Sequence, residues 1–184
     1  ITSYSNHYID AEIQNANGRS WRCTGIYGHP EANQKKHTWT LLRRLADLVV
    51  SPWLCFGDFN EVLNLNEKMG GLDRNARMVA DFRESVKDCK LEDVGCRGHH
   101  FTWSNRRFGP HYIEEILDRF MCNQKWRAEF YDWLATNLIH WESNHCPIMM
   151  VVQNRQISLN YEKRSFNRIH YEDMWSLYDE CKNI

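Results

Sequence analysis

The sequence predicts an α+β domain in which strands outnumber helices. Three observations carry this. Segments that alternate apolar and polar residues recur through residues 1–153. Two of them, joined by Asn15-Ala-Asn-Gly18, make a hairpin over residues 8–27. No internal repeat is present.

The elements follow in order. Tyr8 to Gln14 alternates at period two, and Trp21 to Tyr27 returns as its hairpin partner. Gly28-His-Pro30 ends that strand, and Pro30 and Glu31 suit a first helical turn. Trp39, Leu41, Leu42, Leu45, Leu48 and Val49 form an apolar stripe on a helix over about residues 33–49. Pro52 to Phe56 is a short continuous apolar run, as in a strand buried on both faces. Gly70-Gly71 marks a loop. Met78, Phe82, Val86 and Cys89 place a helix over about residues 75–89. Leu91 to Val94, Phe101 to Ser104 and Ile113 to Cys122 are expected strands, and Asn123 caps a short helix to Phe130. Leu134 to Trp141 and Ile148 to Gln153 are the last strands. Residues 154–184 lose the strand pattern, and Tyr171 to Cys181 reads as a helix in a connector. The domain division is therefore 1–153 and 154–184.

A chain of 184 residues is long enough for one domain with a sizeable core. Apolar residues at 42% and aromatics at 13% exclude a disordered chain. Lys plus Arg is 23 against 24 Asp plus Glu, so any polyanion site must be a local patch. No apolar run approaches the about 20 residues of a membrane span. The first residues, ITSYSNHYID, show no secretory signal, and no Met begins them. Seven Cys at irregular spacing fit reduced thiols and an intracellular compartment, nuclear or cytoplasmic. A zinc site on Cys89, Cys96, His99 and His100 lacks paired ligand spacing.

Gly57-Asp58-Phe59-Asn60 stands where the buried strand leaves the sheet. In an extended chain Asp58 and Asn60 would project to one face, a carboxylate beside an amide. The same tetrapeptide is also compatible with a simple Asx turn. Ser143-Asn144-His145 precedes the last strand, and Asp118 lies in another. An Asp beside a His fixes its tautomer and raises its basicity. The other histidines, including His7, His29 and His37, read as surface residues. Arg97 to Phe108 interleaves basic and aromatic residues, so Arg106 and Arg107 are candidate phosphate contacts. Lys68, Arg74 and Arg77 read as a solvated face.

Tyr27, G-D-F-N at 57–60, F-T-W-S-N at 101–105, I-L-D-R at 116–119 and S-N-H at 143–145 occur in one order. This set resembles the endonuclease/exonuclease/phosphatase family. More narrowly it is similar to the apurinic-endonuclease-like domain of plant LINE-type (non-LTR) retrotransposons, over about residues 1–152. The resemblance implies a four-layer α/β sandwich and Mg²⁺-dependent cleavage of phosphate esters. It implies that Asp58 activates water, Asn60 holds phosphate or that water, and His145, backed by Asp118, stabilises phosphate charge. Tyr27 would offer its hydroxyl to the phosphate, and Thr102 would contact backbone or ribose near the site. DNA and a reverse transcriptase domain in the parent element are the implied partners.

Two departures from the pattern point to impaired activity. The family's S-D-H is S-N-H here, so Asn144 removes a carboxylate from a hard-cation site. The strands that carry the family's Asn and metal-binding Glu are expected ahead of residue 1, and Glu12 cannot replace that Glu. Arg119 also stands where an aromatic is common. The expected function is therefore a truncated, impaired DNA endonuclease-like domain. The alternatives are an active phosphoesterase on a small substrate and a silent nucleic-acid-binding module.

Overall fold

The structure, a computed structural model, describes residues 1–14, 18–48, 50–138 and 143–153. The hairpin turn at 15–17, the end of the strand expected to reach Trp141, and the connector with its 171–181 helix lie outside the described residues.

The main sheet has six strands in the order β1-β2-β3-β4-β10-β6. These are β1 (Ser3–Ser5), β2 (Tyr8–Gln14), β3 (Ser20–Tyr27), β4 (Trp53–Asp58), β6 (Leu91–Asp93) and β10 (Asp118–Asn123). Strands β3 and β4 run parallel, with helix α1 (Lys35–Asp47) as the crossover between them. Strand β10 pairs antiparallel to β4. Helix α2 (Ala76–Asp88) starts at Asn75, whose side chain accepts from the Arg77 and Met78 amides. A second sheet, β12-β11-β7, consists of β7 (Arg97–Gly98), β11 (Asp132–Asn137) and β12 (Ile148–Gln153). A small ladder, β5-β9-β8, joins β5 (Lys68–Met69), β8 (Trp103–Ser104) and β9 (Glu114–Glu115). Helix α3 (Gln124–Glu129) is capped by Asn123 as expected.

Period two in β4 sorts the core. Trp53 and Cys55 face α1 and α2, packing with Leu42, Leu45, Phe82 and Val86. Leu54 points to the opposite face, with Phe120, Trp126, Phe130 and Ala135. Described residues thus form helices, main sheet and second sheet in layers. Among them no helix covers the outer face of the second sheet, where Met149 and Val151 are 42% and 46% exposed.

Three local expectations are corrected. Ile113 to Cys122 is not one strand; it divides into β9 and β10. Phe101 to Ser104 contributes only Trp103 and Ser104 as strand. Lys68 and Arg74 are not a solvated face. Both ammonium and guanidinium bind the buried Glu115 carboxylate, because a charge inside this core must be paired.

Candidate active site

The site assembles at the ends of β3, β4 and β10. Asp58 is the last residue of β4, and its register partners are Tyr27 on β3 and Asp118 on β10. Residues opposite one another project to the same face, so Tyr27, Asp58 and Asp118 form one row. Gly57, at φ 127°, permits this close approach; a Cβ there would overlap the Ile26 carbonyl.

Asn60 does not continue the strand. It sits at φ 56°, and its backbone amide donates to Asp58 Oδ1 at 2.7 Å. The two side chains therefore converge by an Asx turn and not by extended geometry. Asn60 Nδ2 donates to Asp58 Oδ2 at 2.8 Å and to the Gly28 carbonyl at 2.9 Å. Both amide hydrogens are thus engaged, and Asn60 orients Asp58.

His145 enters from the segment before β12. Its Nδ1 lies 2.9 Å from Asp118 Oδ2, and its Nε2 lies 4.0 Å from Asp58 Oδ2. A carboxylate only accepts, so Nδ1 carries the proton and Nε2 faces the Asp58 side. The hydrogen bond to Asp118 is the main force raising the His145 pKa above 6.5, opposed by burial. Burial, then the Asp118 charge, pushes Asp58 up from 3.8 to about 6. One group is thus biased toward its protonated form and the other toward neutrality.

Thr102 lies under this row. It is 1% exposed, and its Oγ1 accepts from the Leu117 and Asp118 amides, each at 2.9 Å. It positions Asp118 from beneath the row. Asn144 is exposed, and its carbonyl accepts from the Ser104 amide at 2.9 Å. Tyr27 is 51% exposed. Arg106 and Arg107 are exposed on the loop between β8 and β9. They line a groove of about 810 Å³ together with Trp103, Phe108, Tyr112 and Asn144. Arg119 is buried and binds Glu67 and Asp93, which accounts for a cation in place of an aromatic there.

Behind Asn60 runs a chain of charges that the sequence reading missed. Lys35 Nζ donates to the Asn60 carbonyl at 2.6 Å and to Glu61 Oε2 at 2.8 Å. Arg74 lies 3.8 Å from Glu61 and also binds Glu115. Burial pushes the Lys35 pKa below 10.5. Two signals for this network stand in the sequence. Lys35 shares the helical stripe of Trp39 and Leu42, and Glu61 directly precedes the apolar pair Val62-Leu63.

Glu61, Glu67 and Glu115 are matched by Lys or Arg, so Asp58 and Asp118 are the carboxylates that remain at the row. Among the described residues no set of three or more His, Cys, Asp or Glu is arranged to hold a metal ion. A magnesium ion that takes most of its ligands from substrate and water needs only one or two protein carboxylates, and the row is rich enough in carboxylate to meet that need.

No family model matches the chain, and no curated protein matches it. Solved structures do. The endonuclease domain of TRAS1, a telomere-specific non-LTR retrotransposon, superposes with a TM-score of 0.63 at 12% identity, covering 83% of this chain and 66% of that one. The AP endonuclease LMAP of Leishmania major gives 0.57 at 13%, covering 80% and 55%. The NExo exonuclease of Neisseria meningitidis gives 0.54 at 16%, covering 72% and 60%. The chain shares the α+β fold of these three nucleases. The chain spans just over half to about two thirds of the length of these structures.

Proposed function

We propose that the chain is a DNA endonuclease-like, Mg²⁺-dependent phosphodiesterase domain of LINE-type retrotransposon origin, from a plant, with weakened activity. The observation that carries this is the Asp118–His145–Asp58 line, seated at the strand ends of a nuclease fold. Likeness to the TRAS1 endonuclease domain supports the retrotransposon origin. A pKa near 6 suits Asp58 to take a proton from water near neutral pH. Protonated His145 offers a fixed positive charge to phosphate oxygens, which is what phosphoryl transfer needs. Exposed Tyr27, in the same row, offers its hydroxyl. Arg106, Arg107 and Asn144 line a groove that would take the DNA backbone.

A bound Mg²⁺ would supply charge neutralisation at the phosphate. Asn144 in place of Asp weakens that binding and hence activity. A reverse transcriptase domain would be the chain's partner in the parent element, in a nuclear or cytoplasmic protein.

Nicking of supercoiled plasmid with Mg²⁺ tests the reading. Slow nicking is expected, accelerated by Asn144→Asp and abolished by His145→Ala. Nicking indifferent to His145→Ala would refute the site. Robust nicking by the unaltered chain would refute the weakening.

A further inference from the structure

Three histidines from three separate elements meet beside Tyr27. His7 lies in the turn between β1 and β2, His29 follows β3, and His37 is in the first turn of α1. The His7 and His29 rings are 3.8 Å apart between centroids, and those of His29 and His37 are 5.8 Å apart. His7 also stacks on Tyr27, 6.3 Å away with planes within 4°. The column therefore adjoins the Tyr27–Asp58–Asp118 row directly. Gly28, one residue before His29, donates its amide to the Asp58 carbonyl.

The hydrogen bonding of His7 sets its behaviour. Its Nδ1 lies 3.0 Å from the Tyr27 carbonyl. A carbonyl can only accept, so Nδ1 bears the hydrogen and neutral His7 has a bare Nε2. That nitrogen cannot donate to a phosphate oxygen, itself an acceptor. Protonation turns it into a charged donor aimed away from the Tyr27 carbonyl.

We propose that His7, His29 and His37 form a subsite for a phosphodiester group of nucleic acid flanking the cleaved bond, occupied when the imidazoles are protonated. This rests on the phosphodiesterase reading of the adjoining row. Among the described residues, the following polar and titratable groups bear on the column. Glu31 and Gln34 act on His29 from the loop before α1, and each imidazole acts on the next. Lys36 precedes His37, Tyr27 underlies His7, and Asp58 lies in the Tyr27 row. Partial desolvation and the two neighbouring imidazoles hold the His29 pKa below 6.5 in the free protein. A bound anion reverses that bias, so binding takes up protons.

The test is binding of a short labelled duplex to the full chain in EDTA, at about pH 5.5 and about pH 8, across a salt series. The unaltered chain is compared with His7→Gln/His29→Gln/His37→Gln, whose folding is checked by circular dichroism, and with single His37→Gln. Lowering the pH should tighten binding at least about fivefold more for the unaltered chain than for the triple variant. Its slope of log K against log salt at the lower pH should be steeper by about 1–2, since each protonated site neutralises one phosphate. Single His37→Gln should fall between. Equal pH dependence and equal slopes in the two proteins would overturn the subsite while leaving the nuclease reading intact. Failure of the unaltered chain to bind duplex at either pH would overturn the nucleic-acid reading and the subsite together. Competition by inorganic phosphate alone, at the same concentration as the duplex phosphate, would show a free-anion site and overturn the assignment to nucleic acid.

Discussion

Replacing Lys35 by Met removes one end of a buried ion pair without removing much volume. The Lys35 and Glu61 side chains are 4% and 1% exposed. After the change the Glu61 carboxylate keeps only the Val62 amide at 3.0 Å and Arg74 at 3.8 Å. Leaving a buried charge unpaired costs about 3–5 kcal/mol, and the nearby Arg74 favours the lower end. The Asn60 carbonyl also loses its 2.6 Å donor, a further about 1 kcal/mol. The sum of about 4 kcal/mol is a large part of a domain stability of about 5–15 kcal/mol. Urea unfolding followed by tryptophan fluorescence is a suitable assay, because Trp39 and Trp53 lie in the core beside α1. With a slope of about 2 kcal/mol per molar, the midpoint should fall by about 2 M. Lys35→Met/Glu61→Leu should recover most of that loss, because both charges then leave together. A loss under about 1 kcal/mol for Lys35→Met, or no recovery in the double variant, would refute the network as a holder of the Asn60 turn.

Two further outcomes are expected. Thr102→Val strips the acceptor from one buried and one part-buried amide and should cost about 2–4 kcal/mol in denaturation, whereas Thr102→Ser should stay within about 1 kcal/mol; equal losses would show that the methyl group, not the hydroxyl, matters. Asp58 has a folded pKa raised from 3.8 to about 6, so its contribution to stability is present at low pH and disappears as pH rises through about 6. Asp58→Asn should therefore gain about 2–3 kcal/mol over the unaltered chain between about pH 4 and pH 7.5, at about 1.4 kcal/mol per pH unit. Parallel stability curves for the two proteins would contradict this.

The sequence alone determined the elements whose pattern is local. Strand β2 has the bounds its alternation predicts, β12 spans the expected residues, and α3 begins at its Asn123 cap. The order of the five motifs pointed to a nuclease fold, and the solved structures share that fold. Local pattern failed where partners are distant in the chain. The two-residue strands β5, β8 and β9 have no period of their own and exist through mutual pairing. Lys68 and Arg74 looked solvated because charge in a sequence carries no sign of burial; only packing against Glu115 revealed it. The burial of Thr102 was hidden as well, because sequence gives residue type and order, not depth. The same limit hid the histidine column. His7, His29 and His37 are separated in sequence, and only the β2–β3 pairing and the α1 crossover bring their rings together beside Tyr27. The sequence supplied the reactive groups and their order, while their distances, protonation and burial came from tertiary contacts that no local window contains.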